Sequence, residues 1–133
     1  MTYLLDTHTF IWAVLETGKL SKNAYGLLTD AGNKIHVSVV SFWEISLKTG
    51  IKKFSFENLD VKDFPRYARD MGFEIMDLQE TPAMTFHELP LKRTHKDPFD
   101  RMLIWQAITK NMTLISKDEL FDQYRKDGLR IAW

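Results

Sequence analysis

Tyr3-Leu4-Leu5-Asp6 is an apolar run stopped by a carboxylate, and its reading decides the architecture. A strand wetted on one face alternates apolar and polar side chains, whereas this run does not alternate, so it needs covering on both faces. Strands of that kind belong to parallel sheets with helices packed above and below them. Further β-prone runs stand at Ile35-His36-Val37-Ser38, Glu74-Ile75-Met76, Thr113-Leu114-Ile115 and Leu129-Arg130-Ile131. Segments with helical spacing lie between them, predicting helices at 8–16, 21–31, 41–50, 61–71, 80–87 and 98–111, and a short turn at 118–123. The alternation predicts an α/β fold: a three-layer α/β/α sandwich around a central, mostly parallel sheet of about five strands.

Local signals support the helices. Ser21, Ser41 and Asp60 precede predicted helices and can accept a hydrogen bond from a first-turn N–H. Asp97-Pro98 combines a capping acid with a proline at the first helical position, where no N–H is needed. Gly32, Gly50 and Gly72 mark expected helix ends.

The 133 residues fit one domain, 1–133, with no internal repeat or Pro/Gly-rich linker to divide it. Apolar residues make up 44% and aromatic residues 13%, enough for a real core, which excludes a disordered chain. The longest apolar run, Phe10 to Leu15, is far too short to span a membrane, and the chain does not open like a secretion signal. With no cysteine, disulfide frameworks, thiolate metal sites and cysteine nucleophiles are excluded, and a soluble protein of the reducing cytoplasm is expected. Lys and Arg total 18 against 18 Asp and Glu, so a polyanion would have to be gripped by a local patch rather than a global field.

Carboxylates recur where chemistry is expected. Ligands of open α/β sheets gather beyond the carboxyl ends of the strands. There Asp6 follows the first strand, Glu44 lies a helical turn beyond the second, and Asp118 follows the fourth. His95-Lys96-Asp97-Pro98-Phe99-Asp100-Arg101 brings two more acids to the start of a helix. Two carboxylates ~5 Å apart repel by about 3 kcal/mol at an effective dielectric of ~20, so such a cluster calls for a cation. Oxygen ligands without cysteine point to Mg²⁺ or Mn²⁺, and carboxylate-held metals suit phosphodiester hydrolysis. Each acid also has a purely structural reading: Asp6 as a helix cap, Ser41-x-x-Glu44 as a capping box, and Asp118 with Glu119 as charges that favour a helix N-terminus. The spacing makes Asp97 the natural cap and leaves Asp100 as the preferred ligand, with Asp97 a second candidate.

Lys92-Arg93-Thr94-His95-Lys96 and Arg101 flank the acidic motif and could steer phosphates to it, with Lys48, Lys52 and Lys53 as a second basic group. The histidines His8, His36, His87 and His95 are too scattered for one cluster, and His95 reads as a satisfied loop residue. Apolar residues of the first and last long helices, Phe10, Ile11, Val14 and Leu15 and then Met102, Leu103, Trp105 and Ile108, wrap beyond one face. Some are therefore candidates for contacts between chains, as are Trp12 and Trp43.

Leu4-Leu5-Asp6-Thr7-His8, Ser41-Phe42-Trp43-Glu44-Ile45, the His95–Arg101 stretch and Leu114-Ile115-Ser116-Lys117-Asp118 together resemble the successive motifs of PIN-domain ribonucleases of the VapC toxin type. The resemblance spans nearly the whole chain and implies a Mg²⁺- or Mn²⁺-dependent endoribonuclease, neutralised by a cognate antitoxin and forming a homodimer. It places Asp6, Glu44, Asp100 and Asp118 on the family's acidic positions, Asp97 in an Asp-Pro-Phe-Asp variant of the third motif, and Ser116 on a small polar position. Two other classes start a fold with a strand and an acid. A haloacid dehalogenase-like phosphatase would carry a second acid where His8 stands, and a receiver module would need adjacent acids near Asp6. A PIN-like binding module without turnover is a third alternative.

Overall fold

The computed structural model describes residues 1–133. Its strands are β1 (Thr2–Leu5), β2 (Lys34–Ser38), β3 (Glu74–Met76), β4 (Thr113–Ile115) and β5 (Arg130–Ala132). They form one sheet in the order β3-β2-β1-β4-β5, and every neighbouring pair is parallel. The helices are α1 (Thr7–Leu15), α2 (Lys22–Thr29), α3 (Val39–Gly50), α4 (Phe64–Asp70), α5 (Glu80–Thr85) and α6 (Pro98–Thr109). Tighter 3₁₀ segments occupy Thr17–Lys19, Val61–Asp63, Phe86–Glu88 and Glu119–Asp127.

The alternation of β1 builds two cores. Tyr3 and Leu5 face one helical layer, where they pack with Phe10, Ile45, Phe64 and Ala68. Leu4 faces the other layer, with Leu103, Ile104, Phe121 and Tyr124. β4 repeats the division in register: Leu114, opposite Leu4, joins the second core, and Ile115, opposite Leu5, joins the first. Burial on both faces is what the unalternating sequence of β1 requires, and the sandwich follows from it.

The predicted boundaries shift where tertiary contacts decide them. α3 begins at Val39, and its cap is Ser38 instead of Ser41. The Ser38 hydroxyl accepts from the Val40 N–H at 3.1 Å and donates to Gln106 Oε1 at 2.7 Å, tying the start of α3 to α6. Ser41 consequently lies inside the helix, where its Oγ accepts from the Thr7 hydroxyl at 3.0 Å. Asp60 caps the 3₁₀ turn at Val61–Asp63, and α4 starts only afterwards, at Phe64-Pro65. Past α3 the left-handed residue is Lys52, at φ 62°, and Gly50 belongs to the last helical turn. The turn expected at 118–123 extends to Asp127 and is closed by Gly128 at φ 104°, a conformation that favours glycine.

From β1 the chain builds outward through β2 and β3, then returns to place β4 and β5 on the opposite side. The order reverses between β1 and β4, and a crevice at their carboxyl ends is the usual consequence of that topology.

Candidate metal centre

Asp6, at the end of β1, is pinned beside β4 by its own backbone: its N–H donates to the Ile115 carbonyl at 3.2 Å. Its Oδ1 accepts from the Thr9 N–H at 2.7 Å, capping α1, and its Oδ2 accepts from the Ser116 hydroxyl. The Ser116 oxygen in turn accepts from the Asp118 N–H at 3.1 Å. One serine thus links the acid after β1 to the acid after β4. Asp118 also caps the following 3₁₀ segment, accepting from the Leu120 N–H at 2.9 Å. Capping and metal ligation are compatible here, because a carboxylate has more acceptor sites than a single N–H consumes.

On α6, Asp97 Oδ1 accepts from the Asp100 N–H at 3.0 Å, the cap expected from Asp97-Pro98. Asp100 projects toward His95, whose ring is 4% exposed. His95 Nε2 stands 3.2 Å from Asp100 Oδ2, and its Nδ1 stands 2.8 Å from the Tyr124 hydroxyl. With the proton on Nε2, that nitrogen donates to the carboxylate and Nδ1 accepts from the tyrosine. Burial lowers the His95 pKa below its usual value, against the opposing charges of Asp118 and Asp97.

Glu44 comes from α3 and is almost fully buried. Because the helix begins before Ser41, Glu44 makes no capping-box bond. Its Oε2 accepts from the Lys48 ammonium one turn along, and its buried Oε1 has no donor. Lys48 also lies 4.0 Å from Asp97 Oδ2. Burial works against the charge of Lys48, but the bond and charge of Glu44, then Asp97 and Asp100, hold its pKa above the ordinary lysine value.

These acids converge electrostatically on one residue. Burial, then the charges of Asp97, Glu44, Asp6 and Asp118, push the Asp100 carboxyl up to about 8. Asp6 is raised as well, by burial opposed by its bonds to Ser116 and Thr9. Donor atoms of His95, Asp100 and Asp118 lie within 4.8 Å of one another, as do those of Glu44, Asp97 and Asp100. Asp6 is outside both groups but close enough to raise Asp100. A buried carboxylate oxygen without a donor, in a centre where Asp100 and Asp6 are held above the usual carboxylate range, fits a hard divalent cation. Asp100 and Asp118, with Asp6 or Asp97, are the residues available to hold it.

The PIN domain family model matches residues 3–127. This chain belongs to the PIN-domain family. No curated protein matches it. Among solved structures, it is similar to VapBC2 from Rickettsia felis bound to a DNA fragment from its promoter, at 20% identity and TM-score 0.66, covering 99% of this chain and 98% of that one. DNA-bound VapBC from Salmonella typhimurium is similar at 18% identity and TM-score 0.66, covering 99% and 97%. VapBC-5 from Mycobacterium tuberculosis, a member of the VapBC family of toxin–antitoxin systems, is similar at 13% identity and TM-score 0.59, covering 98% and 95%.

The basic residues around the PIN centre divide into two kinds. Arg93 and Lys96 are exposed and line an open cavity of about 610 Å³ with Leu91 and His95. Lys92 and Arg101 reach the same cavity but are also engaged internally. Lys92 Nζ is paired with Asp127 at 2.7 Å. Arg101 is 6% exposed, and its Nη2 donates to the Leu89 and Pro90 carbonyls at 2.9 and 3.1 Å. Its Nε also donates to the Tyr124 hydroxyl at 3.3 Å. Lys52 and Lys53 are exposed at the far end of α3, whereas Lys48 is drawn into the PIN centre.

The other histidines go elsewhere, as their scatter predicts. His8 is exposed between Trp12 and Phe54, His36 pairs with Glu74 at 3.0 Å, and His87 bonds the Met84 carbonyl. His8 occupies the position where a phosphatase of the alternative class would carry its second acid. Two participants escaped the sequence reading in their actual roles. His95 gives no spacing signal that distinguishes a ligand from a loop residue. Lys48, four residues after Glu44 on one helix, carries the spacing of an intrahelical ion pair and could have been found.

Proposed function

We propose that this chain is a Mg²⁺- or Mn²⁺-dependent endoribonuclease that hydrolyses RNA phosphodiester bonds, and that it is the toxin of a type II toxin–antitoxin pair acting in the cytoplasm. The observation that carries the hydrolytic reading is the convergence of acids on Asp100: its donor atoms lie within 4.8 Å of those of His95 and Asp118 and, in a second group, of Glu44 and Asp97, and a divalent cation relieves their repulsion without consuming a proton. Asp100 and Asp118, with Asp6 or Asp97, would hold the ion, and it would lower the pKa of a water and stabilise the leaving oxygen. The protein's own share is positional. Ser116 fixes Asp6 against Asp118, Asp97 fixes the start of α6 beneath Asp100, and Glu44 Oε1 is an acceptor for a water proton. Arg93 and Lys96 supply phosphate contacts beside the centre.

A cognate antitoxin and a second copy of the chain are the proposed protein partners. Support comes from the toxin–antitoxin complexes among the similar structures and from exposed apolar side chains. Trp43 is 62% exposed and shares a stripe with Leu47 on α3 and with Ile51 just past its end. No helix is long and apolar enough to cross a membrane.

The test is cleavage of total RNA by purified protein with Mg²⁺ or Mn²⁺, with Asp6→Asn and Asp100→Asn as controls. Wild type cuts, and each variant loses roughly 100-fold or more while keeping its circular dichroism spectrum. Folded variants that cut at the wild-type rate would contradict the assignment.

A further inference from the structure

The two donor groups of the centre share Asp100: His95, Asp100 and Asp118 on one side, Glu44, Asp97 and Asp100 on the other. Counted as ligands alone, they would accept a pair of cations bridged by one carboxylate, the arrangement that two-metal hydrolases use. The second group, however, already contains a positive charge. Lys48 bonds Glu44 Oε2 and stands 4.0 Å from Asp97 Oδ2, with 17% of its side chain exposed. Its ammonium lies 5.4 Å from the Phe54 ring centre and 5.9 Å from that of Phe99, so aromatic faces that favour a cation flank it. Its stem rises from the same helix as Glu44, one turn on, which fixes the pair locally.

Resting on the hydrolytic reading above, we propose that the Lys48 ammonium stands in the place of a second metal ion, so that the centre takes a single divalent cation on the Asp100–Asp118 side. A divalent ion ligated by Glu44 and Asp97 would meet the lysine charge within a few ångströms and could enter only by displacing it. The lysine supplies a positive charge to the second donor group without drawing on dissolved metal. Glu44 Oε1, buried and without a donor, remains free as an acceptor.

The experiment is Mn²⁺ binding to the purified full chain, by equilibrium dialysis and low-temperature electron paramagnetic resonance, with no RNA present. Wild type and Lys48→Arg take one ion per chain and give the spectrum of an isolated Mn²⁺. Lys48→Met takes two and gives a spin-coupled pair. Lys48→Gln, which still hydrogen-bonds Glu44 and guards against a variant that fails to fold, also takes two. Two ions in the wild type, or one in both folded neutral variants, overturn the inference while leaving metal-dependent hydrolysis standing. A wild type that takes none overturns both.

Discussion

Held near 8 by burial and by its acidic neighbours, the Asp100 carboxyl keeps its proton at pH values where the same residue in an unfolded chain, at about 3.8, has lost it. A folded-state pKa raised in this way stabilises the fold at low pH and ceases to do so as pH rises through the folded value. His95 acts oppositely below its ordinary 6.5, because its lowered pKa leaves the unfolded chain binding the extra proton there. Between pH 6.5 and about 8, therefore, the metal-free protein loses stability with rising pH; Asp100 contributes a slope of up to about 1.4 kcal/mol per unit, and Asp6, raised in the same direction, adds to the fall. Thermal unfolding in a chelator measures it: the melting temperature falls across this window, Asp100→Asn flattens the fall, and saturating Mg²⁺ abolishes it by replacing the proton. A metal-free melting temperature that stays level or climbs contradicts the electrostatic account. The acids at strand ends were legible residue by residue, since Asp6 and Asp118 terminate apolar strands. The pairing of His95 with Asp100 was not, because it depends on Tyr124 approaching from a segment 29 residues away.

α6 shows how one element serves two duties. Its cap and first proline are written in sequence as Asp97-Pro98, and the helix begins there. Adjacent residues then diverge: Asp100 enters the centre, while Arg101 turns back to hold the carbonyls of Leu89 and Pro90 and the hydroxyl of Tyr124. Arg101→Met leaves those acceptors buried without a donor, so urea unfolding shows a loss of about 2–4 kcal/mol. Arg93→Ala, on the exposed side of the same loop, changes stability by less than ~0.5 kcal/mol and weakens RNA binding instead. If Arg101→Met unfolds like wild type, the arginine is not the loop's anchor. α3 marks the limit of local reading. Val39 and Val40 continue the β-branched character of β2, and the helix starts there because Ser38 finds Gln106 on α6, a partner that no local pattern announces.

At the scale of the molecule, the sandwich was readable because β1 and β4 must be buried on both faces, and two cores separated by the sheet are the outcome. Charge balance sets what that body can do with a polyanion. With 18 basic and 18 acidic residues, no long-range field gathers nucleic acid, and Lys92 and Arg101 are spent inside the fold. Arg93 and Lys96 are the exposed cations lining the cavity beside the acids. Two phosphate contacts on a single strand give a slope of about −1.4 in log affinity against log salt, at −0.7 per contact. Fluorescence anisotropy of a labelled single-stranded RNA on the Asp100→Asn variant, titrated over a range of KCl, reads this slope without cleavage. Arg93→Ala brings it to about −0.7, the value for one remaining contact. A slope several times steeper in the parent protein would mean that the strand is held by a basic surface beyond this cavity.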